Sequence, residues 1–407
     1  MSKKNIILSL VVCLAIISVV IIPASSGQVN QNVGVIIVFK DSPNSDDVNY
    51  MKGLGGIITS QFDIIHGMSL DLPQQSLDRL NTICKKKLPD DSICSRIKYI
   101  EPDVEVHALG KLTSTGKSTY AMATQTTPWG ISTIYANSAW EITTGSGVKV
   151  AVVDTGIDNT HPDLSANVKG GVTFVFGTRS YKDDNGHGTH VSGTIGAINN
   201  GFGVVGVAPG VSLYGVKVLD RRGSGSASNV INGINWAANN GMQVITMSLG
   251  TSSDVQAIHD AVDNARNKGI VVVAAAGNDN GGPIIYPAAY DGVIAVTATD
   301  INNKLAGFSN IGPQADFTAP GVNVFSTYKG GAYATMSGTS MATPHVTGVV
   351  ALILATPITS TYDTNTNGKW DPDEVRQKLI DTATDLLPIG FDTSFGYGLV
   401  NASKAVR

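Results

Sequence analysis

The chain has few charged and few aromatic residues for its length. Only 15% of its 407 residues are charged, against about 25% in typical soluble domains, and this composition excludes a disordered chain. Its 28 Lys and Arg do not exceed its 32 Asp and Glu, so a nucleic-acid-binding surface is not indicated. Apolar residues (42%) and 45 glycines are abundant instead. They indicate a large buried core with many tight turns, divided by length into about two to three domains.

Cysteine is also scarce, with three residues in the whole chain. Cys13 lies in the apolar N-terminal stretch, whereas Cys84 and Cys94 are ten positions apart in a Lys-rich segment. These two either pair in an oxidising compartment or remain reduced surface thiols. No cysteine follows Cys94, so the stability of the large C-terminal part must come from packing or from bound metal.

The N-terminus has the pattern of a secretory signal. Lys3 and Lys4 precede the apolar residues 6–22, and small residues suited to cleavage follow at 23–27. We therefore predict a signal peptide over residues 1–26 and a secreted, extracellular protein. The apolar run is long enough, at about 17 residues, for an uncleaved membrane anchor to remain an alternative, which would attach the protein to the cell surface. No second long apolar stretch follows, and we expect no further domain or anchor at the C-terminus.

The region after the signal has the pattern of a small α+β domain. Strands are predicted at 33–39, 64–72 and 97–101, and helices at 44–52 and 73–86. Residues 110–123 have no periodicity and predict an exposed linker.

Apolar and helical segments alternate after the linker. Apolar β-branched runs occur at 148–153, 213–219, 243–247, 270–275 and 293–297, and helical patterns at 189–199, 228–240 and 253–268. This alternation predicts an α/β domain with a mostly parallel sheet covered by helices. Ligands of such sheets bind in the loops at the carboxyl ends of the strands.

Three of the predicted strand-to-helix junctions carry reactive side chains. Asp154 ends an apolar strand, while His187 and Ser340 each open a helix in a glycine-rich frame. A serine hydroxyl needs a neutral imidazole to take its proton, and the resulting imidazolium needs a carboxylate. Backbone N–H groups at a helix start suit the negative charge that develops on a substrate oxygen. A second such donor is Asn278, which follows the strand ending near residue 276.

These segments resemble the subtilisin-like serine proteases. The resemblance lies in residues 150–158 around Asp154, 185–191 around His187, 338–344 around Ser340 and 275–278 ending in Asn278. It implies the three-layer fold of the family and a serine endopeptidase that acts through an acyl-enzyme. It also implies that two backbone segments bind an extended protein or peptide substrate, formed by Gly223, Ser224, Gly225, Ser248, Leu249 and Gly250. One departure is Ile285, where the family's primary pocket usually has a small residue.

The N-terminal domain resembles the family's inhibitory propeptide. The similarity lies in residues 35–39 and 99–109, and it implies a ferredoxin-like domain that assists folding and leaves its tail in the active site. We therefore divide the chain into a signal peptide (1–26), a propeptide (27–109), a processing linker (110–123) and a catalytic domain (124–407). Cleavage after Leu109, near Ala123, or at both in turn remain alternatives. The enzyme is expected to be a monomer with its own propeptide as inhibitor.

Two calcium sites are expected. The resemblance implies a site built from oxygens of three segments, namely Gln125, Asp163, Ile198, Asn200, Phe202 and Val204. A second site follows from spacing alone, because residues 363–374 match an EF-hand loop with ligand positions at Asp363, Asn365, Asn367, Asp371 and Glu374. The alternative for this loop is a helix start, with Asp371 as N-cap and Glu374 closing a capping box.

Two other functions are considered. An aspartic protease would explain Asp154-Thr155-Gly156, but that mechanism needs two such carboxylates and the chain has no second Asp-Thr-Gly or Asp-Ser-Gly. A catalytically inactive calcium-dependent binding protein on a protease fold would be marked by a substituted triad residue, and no triad residue is substituted.

Overall fold

The computed structural model describes residues 31–86, 92–113 and 124–407. The predicted signal peptide and residues 114–123 of the predicted linker lie outside these ranges. Within them, no helix is both long and apolar enough to cross a bilayer.

The N-terminal domain is a four-stranded antiparallel sheet with helices on one side. Its elements are β1 (Asn32–Phe39), α1 (Ser45–Gly53), β2 (Ile57–Phe62), β3 (Gly67–Pro73), α2 (Gln74–Lys86), α3 (Ser92–Arg96) and β4 (Ile97–Pro102). The strand order is β2-β3-β1-β4, which agrees with the ferredoxin-like domain that the resemblance implies. Cys84 and Cys94 form a disulfide with their Cα atoms 5.0 Å apart. Strand β2 was not predicted, because its alternation of Ile, Thr, Ser and Gln carries little hydrophobic signal.

The catalytic domain is built on seven parallel strands. They are β7 (Lys149–Asp154), β8 (Val168–Thr173), β9 (Ser212–Lys217), β11 (Val244–Met247), β13 (Val271–Ala275), β14 (Ile294–Thr299) and β15 (Phe317–Pro320), in the order β15-β14-β13-β11-β7-β9-β8. Every pairing in this sheet is parallel. The central strands are buried on both faces, which explains their continuous apolar sequence.

Helices cover both faces of this sheet. Val150 and Val152 pack with the face carrying α6 (His187–Gly196) and α9 (Thr339–Leu354). Ala151 and Val153 point to the opposite face, which carries α7 (Ala227–Asn239) and α8 (Gln256–Asn267). The fold is therefore the three-layer α/β architecture. Shorter helices complete it: α4 (Trp129–Thr133), α5 (Ala136–Ala139), α10 (Pro372–Thr382) and α11 (Ala402–Ala405).

Two of the predicted helices begin two or more residues away from their predicted start. Helix α6 begins at His187 rather than at 189, because Gly186 takes a positive φ of 114° that ends the preceding loop. Helix α8 begins at Gln256 rather than at 253, after an extended Val255.

Two small sheets join the N-terminal segment to the catalytic domain. Strand β5 (Glu105–Ala108) lies between β10 (Ser224–Ser226) and β12 (Leu249–Gly250), antiparallel to both. Strand β6 (Lys111–Leu112) pairs with β17 (Ala332–Ser337), which also pairs with β16 (Val324–Tyr328). Residues 111 and 112 of the predicted linker are exposed, and they form a short strand because their backbone groups pair with the edge of β17.

Candidate active site

Asp154 and His187 are in contact at the carboxyl edge of the parallel sheet. Asp154 is the last residue of β7 and His187 the first of α6, so the two loops bring their side chains together. His187 Nδ1 donates to both carboxylate oxygens of Asp154, at 2.8 and 2.9 Å. Both side chains are buried, with exposures of 0% and 2%. The contact fixes the tautomer of His187 and leaves Nε2 free for proton transfer.

Ser340 lies at the start of the long helix α9. Its Oγ donates to the carbonyl oxygen of Ser248 at 2.9 Å, while Nε2 of His187 is buried without a hydrogen-bond partner. The hydroxyl is thus directed to Ser248 rather than to His187 in this structure. Rotation about χ1 is all that a serine side chain needs to redirect its hydroxyl, and such catalytic hydrogen bonds often tighten only in the reacting complex.

Asn278 occupies the position of an oxyanion-stabilising donor. Its Oδ1 accepts from the Thr339 N–H and the Thr339 hydroxyl, at 2.9 and 3.0 Å. These two donors fix the orientation of the amide, so that Nδ2 donates to the carbonyl oxygen of Leu109. The sequence did not single out Thr339, although its place between Gly338 and Ser340 was a usable signal.

Residues 105–109 of the chain lie between the two predicted substrate-binding segments. Ala108 N–H donates to Gly223 O at 2.9 Å and Leu109 N–H donates to Ser248 O at 3.3 Å. All six predicted substrate-binding residues therefore lie on the two segments that flank β5. They are Gly223, Ser224 and Gly225 on one side and Ser248, Leu249 and Gly250 on the other.

Gly110, the residue after Leu109, lies against the ring of His187. A Cβ at Gly110 would lie 2.9 Å from His187 Nε2. The peptide bond between Leu109 and Gly110 thus lies between the oxyanion donor and the imidazole, which is where a bond to be hydrolysed must be.

Ile285 packs against Gly250 of β12 and Gly277, which precedes Asn278. A Cβ at Gly250 would lie 2.7 Å from Ile285 Cδ1, and one at Gly277 would lie 3.2 Å from Ile285 Cγ1. Glycine at both positions makes room for this side chain, which is only 8% exposed.

The surroundings of His187 shift its pKa in opposite directions. Burial opposes a positive charge on the ring, but the contact with Asp154 outweighs it and raises the pKa of His187 above its ordinary value. His190, one turn further along α6, is different, because burial lowers its pKa to about 3. His190 is therefore neutral and serves as a structural residue that hydrogen-bonds Val324 O and Ala334 O.

The residues of the first predicted calcium site are connected to one another. Asp163 accepts from Asn200 Nδ2 at 3.2 Å and from Val204 N–H at 2.8 Å. Gln125 donates to Ile198 O at 3.2 Å and accepts from Gly201 N–H at 3.2 Å. Phe202 N–H donates to Asn200 Oδ1 at 3.2 Å. All six predicted residues thus belong to one local cluster. If the side-chain amides of Gln125 and Asn200 were turned over, they would present oxygen instead of nitrogen. Oxygen ligands suit a hard cation.

The second predicted site is only partly assembled. The amides of Asn365 and Asn367 both donate to Asp371 Oδ2, at 2.5 and 2.9 Å. Asp363 Oδ1 is buried with no hydrogen-bond partner, so this oxygen suits a cation ligand. Glu374, in contrast, accepts from the N–H groups of Asp371 (3.0 Å) and Thr364 (2.9 Å), as in the capping alternative. In the described ranges no three His, Cys, Asp or Glu side chains gather closely enough to hold a metal ion by themselves.

Comparison with known proteins agrees with this architecture. Residues 145–398 match the model of the subtilase family. M-protease of Shouchella clausii (strain KSM-K16) is 46% identical over 348 residues, covering 85% of this chain and 81% of the relative. Subtilisin Savinase of Lederbergia lenta is 51% identical over 284 residues, covering 70% of this chain and 100% of the relative. Minor extracellular protease Epr of Bacillus subtilis (strain 168) is 39% identical over 384 residues, covering 93% of this chain and 55% of the relative.

The family match covers the segments of Asp154, His187, Asn278 and Ser340 together. The family match therefore favours a subtilase over an aspartic protease and over an inactive binding protein. The chain belongs to the subtilase family and is a serine endopeptidase.

Proposed function

We propose that this chain is a secreted precursor that activates itself by cutting its own Leu109–Gly110 bond, and whose catalytic domain is stabilised by calcium. Asp154, His187 and Ser340 form the catalytic triad, with Asn278 as oxyanion donor. The observation that carries the proposal is the position of the intact Leu109–Gly110 bond, with the Leu109 carbonyl at the Asn278 amide and Gly110 against His187.

The cut follows from the groups around this bond. Ser340 Oγ bonds to the Leu109 carbonyl carbon while His187 takes the hydroxyl proton, and the negative carbonyl oxygen is stabilised by Asn278. The carbon–nitrogen bond then breaks and His187 returns the proton to the Gly110 nitrogen. Water hydrolyses the Leu109 ester by the same route. The same steps apply to protein and peptide substrates that later take the place of β5.

The N-terminal domain is held in place by contacts that do not involve the cut bond. Glu101 accepts from Gln256 N–H (3.0 Å) and Ala257 N–H (2.7 Å) at the start of α8. Asp103 accepts from Ser228 N–H (2.8 Å) and its hydroxyl (2.6 Å) at the start of α7. These contacts support its role as an inhibitor that remains bound after the cut. Cleavage near Ala123 lies outside the described residues and remains an alternative.

Secretion is supported by the sequence of residues 1–26 and by the relatives, one of which is named an extracellular protease. The signal peptide lies outside the described residues. A monomer is proposed for the mature enzyme.

Calcium is proposed at both predicted sites. At the first, the side-chain oxygens of Gln125, Asp163 and Asn200 and the carbonyls of Ile198, Phe202 and Val204 would hold the ion. Bound there, calcium would tie the start of the catalytic domain to the loop after α6. At the second, Asp363, Asn365, Asn367 and Asp371 would bind first, and Glu374 would have to leave its backbone contacts to join them.

Expression of the precursor with and without Ser340→Ala tests the processing. The unmodified chain should yield a catalytic domain that begins at Gly110 and a companion fragment that ends at Leu109, as measured by N-terminal sequencing and mass spectrometry. Ser340→Ala should remain joined across this bond, while Ser253→Ala, at an exposed serine, should be cut normally. A first cut near Ala123 in the unmodified chain would contradict the assigned bond.

Calcium stoichiometry tests the two metal sites separately. Asp163→Ala should lose one bound ion and the pair Asp363→Ala with Glu374→Ala another, whereas Asp291→Ala, at an exposed carboxylate, should lose none. Unchanged stoichiometry in a folded variant refutes the site concerned.

A further inference from the structure

The carboxylate of Asp183 is buried between the two loops that carry Asp154 and His187. It precedes His187 by four residues, and no sequence motif pointed to it. Its side chain is only 4% exposed, and its two oxygens accept five hydrogen bonds. The donors are Thr155 Oγ1 (2.9 Å), Asn185 N (2.9 Å) and Gly186 N (2.8 Å) to Oδ1, and Thr189 N (2.9 Å) and Thr189 Oγ1 (2.6 Å) to Oδ2.

These bonds join the end of β7 to the first turn of α6. Thr155, which follows Asp154, donates its hydroxyl proton to Asp183 and accepts from Gly188 N–H at 2.9 Å. The carbonyl of Thr155 is held from the other side by the fully buried Lys217, whose Nζ lies 2.7 Å away. The separation between the His187 ring and the Asp154 carboxylate is therefore set by Thr155 and Asp183 as well as by their own hydrogen bond.

Asp183 also places a second carboxylate near the imidazole. Burial raises the pKa of Asp183, and the hydrogen bonds from Thr189, Gly186 and Asn185 oppose that rise by stabilising the ionised form. The charged and titratable groups that face His187 or Asp183 include Asp154 on β7, His190 on α6 and Tyr328 at the end of β16, whose hydroxyl donates to Asn185 O. Lys217, at the end of β9, contacts the carbonyl of Thr155. His190 is neutral, and Lys217 is paired with Asp184 at 2.7 Å. Asp183, like Asp154, favours the protonated form of His187 and raises its pKa.

We propose that Asp183 is a positioning residue for peptide hydrolysis, which holds the His187 ring against Asp154 through Thr155 and the first turn of α6, and whose charge stabilises the imidazolium. The proposal rests on the proposed roles of His187 and Asp154. In the reaction the proton moves from Ser340 Oγ to His187 Nε2 and then to the leaving nitrogen, while Asp183 takes no part in the transfer.

The test compares substitutions in the processed enzyme, with a peptide substrate and a full pH profile. Asp183→Asn should lower kcat about 10- to 100-fold, as expected for a displaced catalytic group, with little change in KM. It should also move the acid limb of kcat/KM to lower pH, because one negative charge near His187 is lost. Thr155→Val should lower kcat similarly without moving the acid limb, and Thr155→Ser, which keeps the hydroxyl, should restore most of the rate.

A buried carboxylate elsewhere provides the control. Asp316 is also 4% exposed and accepts from Ala295 N–H at 2.9 Å. Asp316→Asn should lower the melting temperature but leave kcat and the acid limb unchanged. Folded Asp183→Asn with normal kcat and an unmoved acid limb overturns the proposal. If Asp183→Asn does not fold, equal rates for Thr155→Val and Thr155→Ser overturn it. An active His187→Ala enzyme would instead refute the triad.

Discussion

The side-chain oxygen of Asn278 accepts the backbone N–H of Thr339 at 2.9 Å. Thr339 precedes Ser340 and also donates its hydroxyl to the same oxygen, so the proposed oxyanion donor and the proposed nucleophile are joined through Thr339. The amide nitrogen of Asn278 has no freedom to turn away from the Leu109 carbonyl without losing two hydrogen bonds.

Replacing Asn278 by Ala should therefore slow the cut of the precursor. The expected loss is about 10²- to 10³-fold, or about 2.7–4 kcal/mol, a range established for removal of such a donor in a subtilisin. The measurement is the rate at which the Gly110 N-terminus appears in the purified precursor. Asn159→Ala, at an exposed asparagine, is the control. A cut as fast in Asn278→Ala as in the control would exclude Asn278 as the donor.

Activity should fall at acid pH as His187 becomes protonated. His187 acts as a base only when neutral, and its pKa is raised by Asp154, so the protonated form persists to higher pH than in a free histidine. The acid limb of kcat/KM should therefore lie above pH ~6.5, the ordinary histidine value. A profile that is flat from about pH 5 to 9 would contradict a histidine base of ordinary or raised pKa.

Glu101→Gln and Asp103→Asn should each weaken inhibition by the N-terminal domain. Both carboxylates accept N–H groups at helix starts, where a negative charge is stabilised by about 1–2 kcal/mol in partly buried positions. We expect roughly 5- to 30-fold weaker binding for each change, measured as residual peptidase activity of the cut but undissociated complex. Glu105→Gln, at a carboxylate that is 64% exposed, should have little effect. Equal inhibition in all three variants would show that the contacts of Glu101 and Asp103 with the helix starts do not hold the N-terminal domain on the catalytic domain.

The disulfide should stabilise the N-terminal domain in particular. Cys84 and Cys94 enclose a short loop between α2 and α3, and closing such a loop stabilises a fold by about 2–4 kcal/mol. In the uncut Ser340→Ala precursor, replacing both cysteines by Ser should lower the unfolding temperature of this domain. Dithiothreitol should reproduce the shift in the precursor with both cysteines and have no effect on the serine variant. An effect of the reductant on both would point to another cause.

Much of the fold could be predicted because its signals are local. The five central strands were found from continuous apolar runs such as residues 270–275, which are buried on both faces. Strands β8 and β15 were missed, because they lie at the sheet edges and their sequences contain glycine or proline. Strand β6 could not be predicted at all, since its two residues are extended only through pairing with the distant β17.

The site could be predicted in part for a similar reason. Asp154, His187, Asn278 and Ser340 stand in distinctive glycine-rich frames, so the residues themselves were identifiable. The contributions of Thr339 and Asp183 depend on how loops meet in space, which the spacing of residues along the chain does not reveal. For Glu374 the sequence left two roles open, a metal ligand and the closing residue of a capping box. The contact with Asp371 N–H belongs to the capping box, but the contact with Thr364 N–H was not predicted.

The passage of strand β5 through the cleft also governs how a population of molecules becomes active. Each intact precursor obstructs its own cleft against every neighbour, so the earliest event is unimolecular and its half-time is independent of dilution. Later release of the blocking domain brings free enzyme into contact with undigested copies. The appearance of peptidase activity should then become autocatalytic, and the lag before it should shorten as the precursor concentration rises.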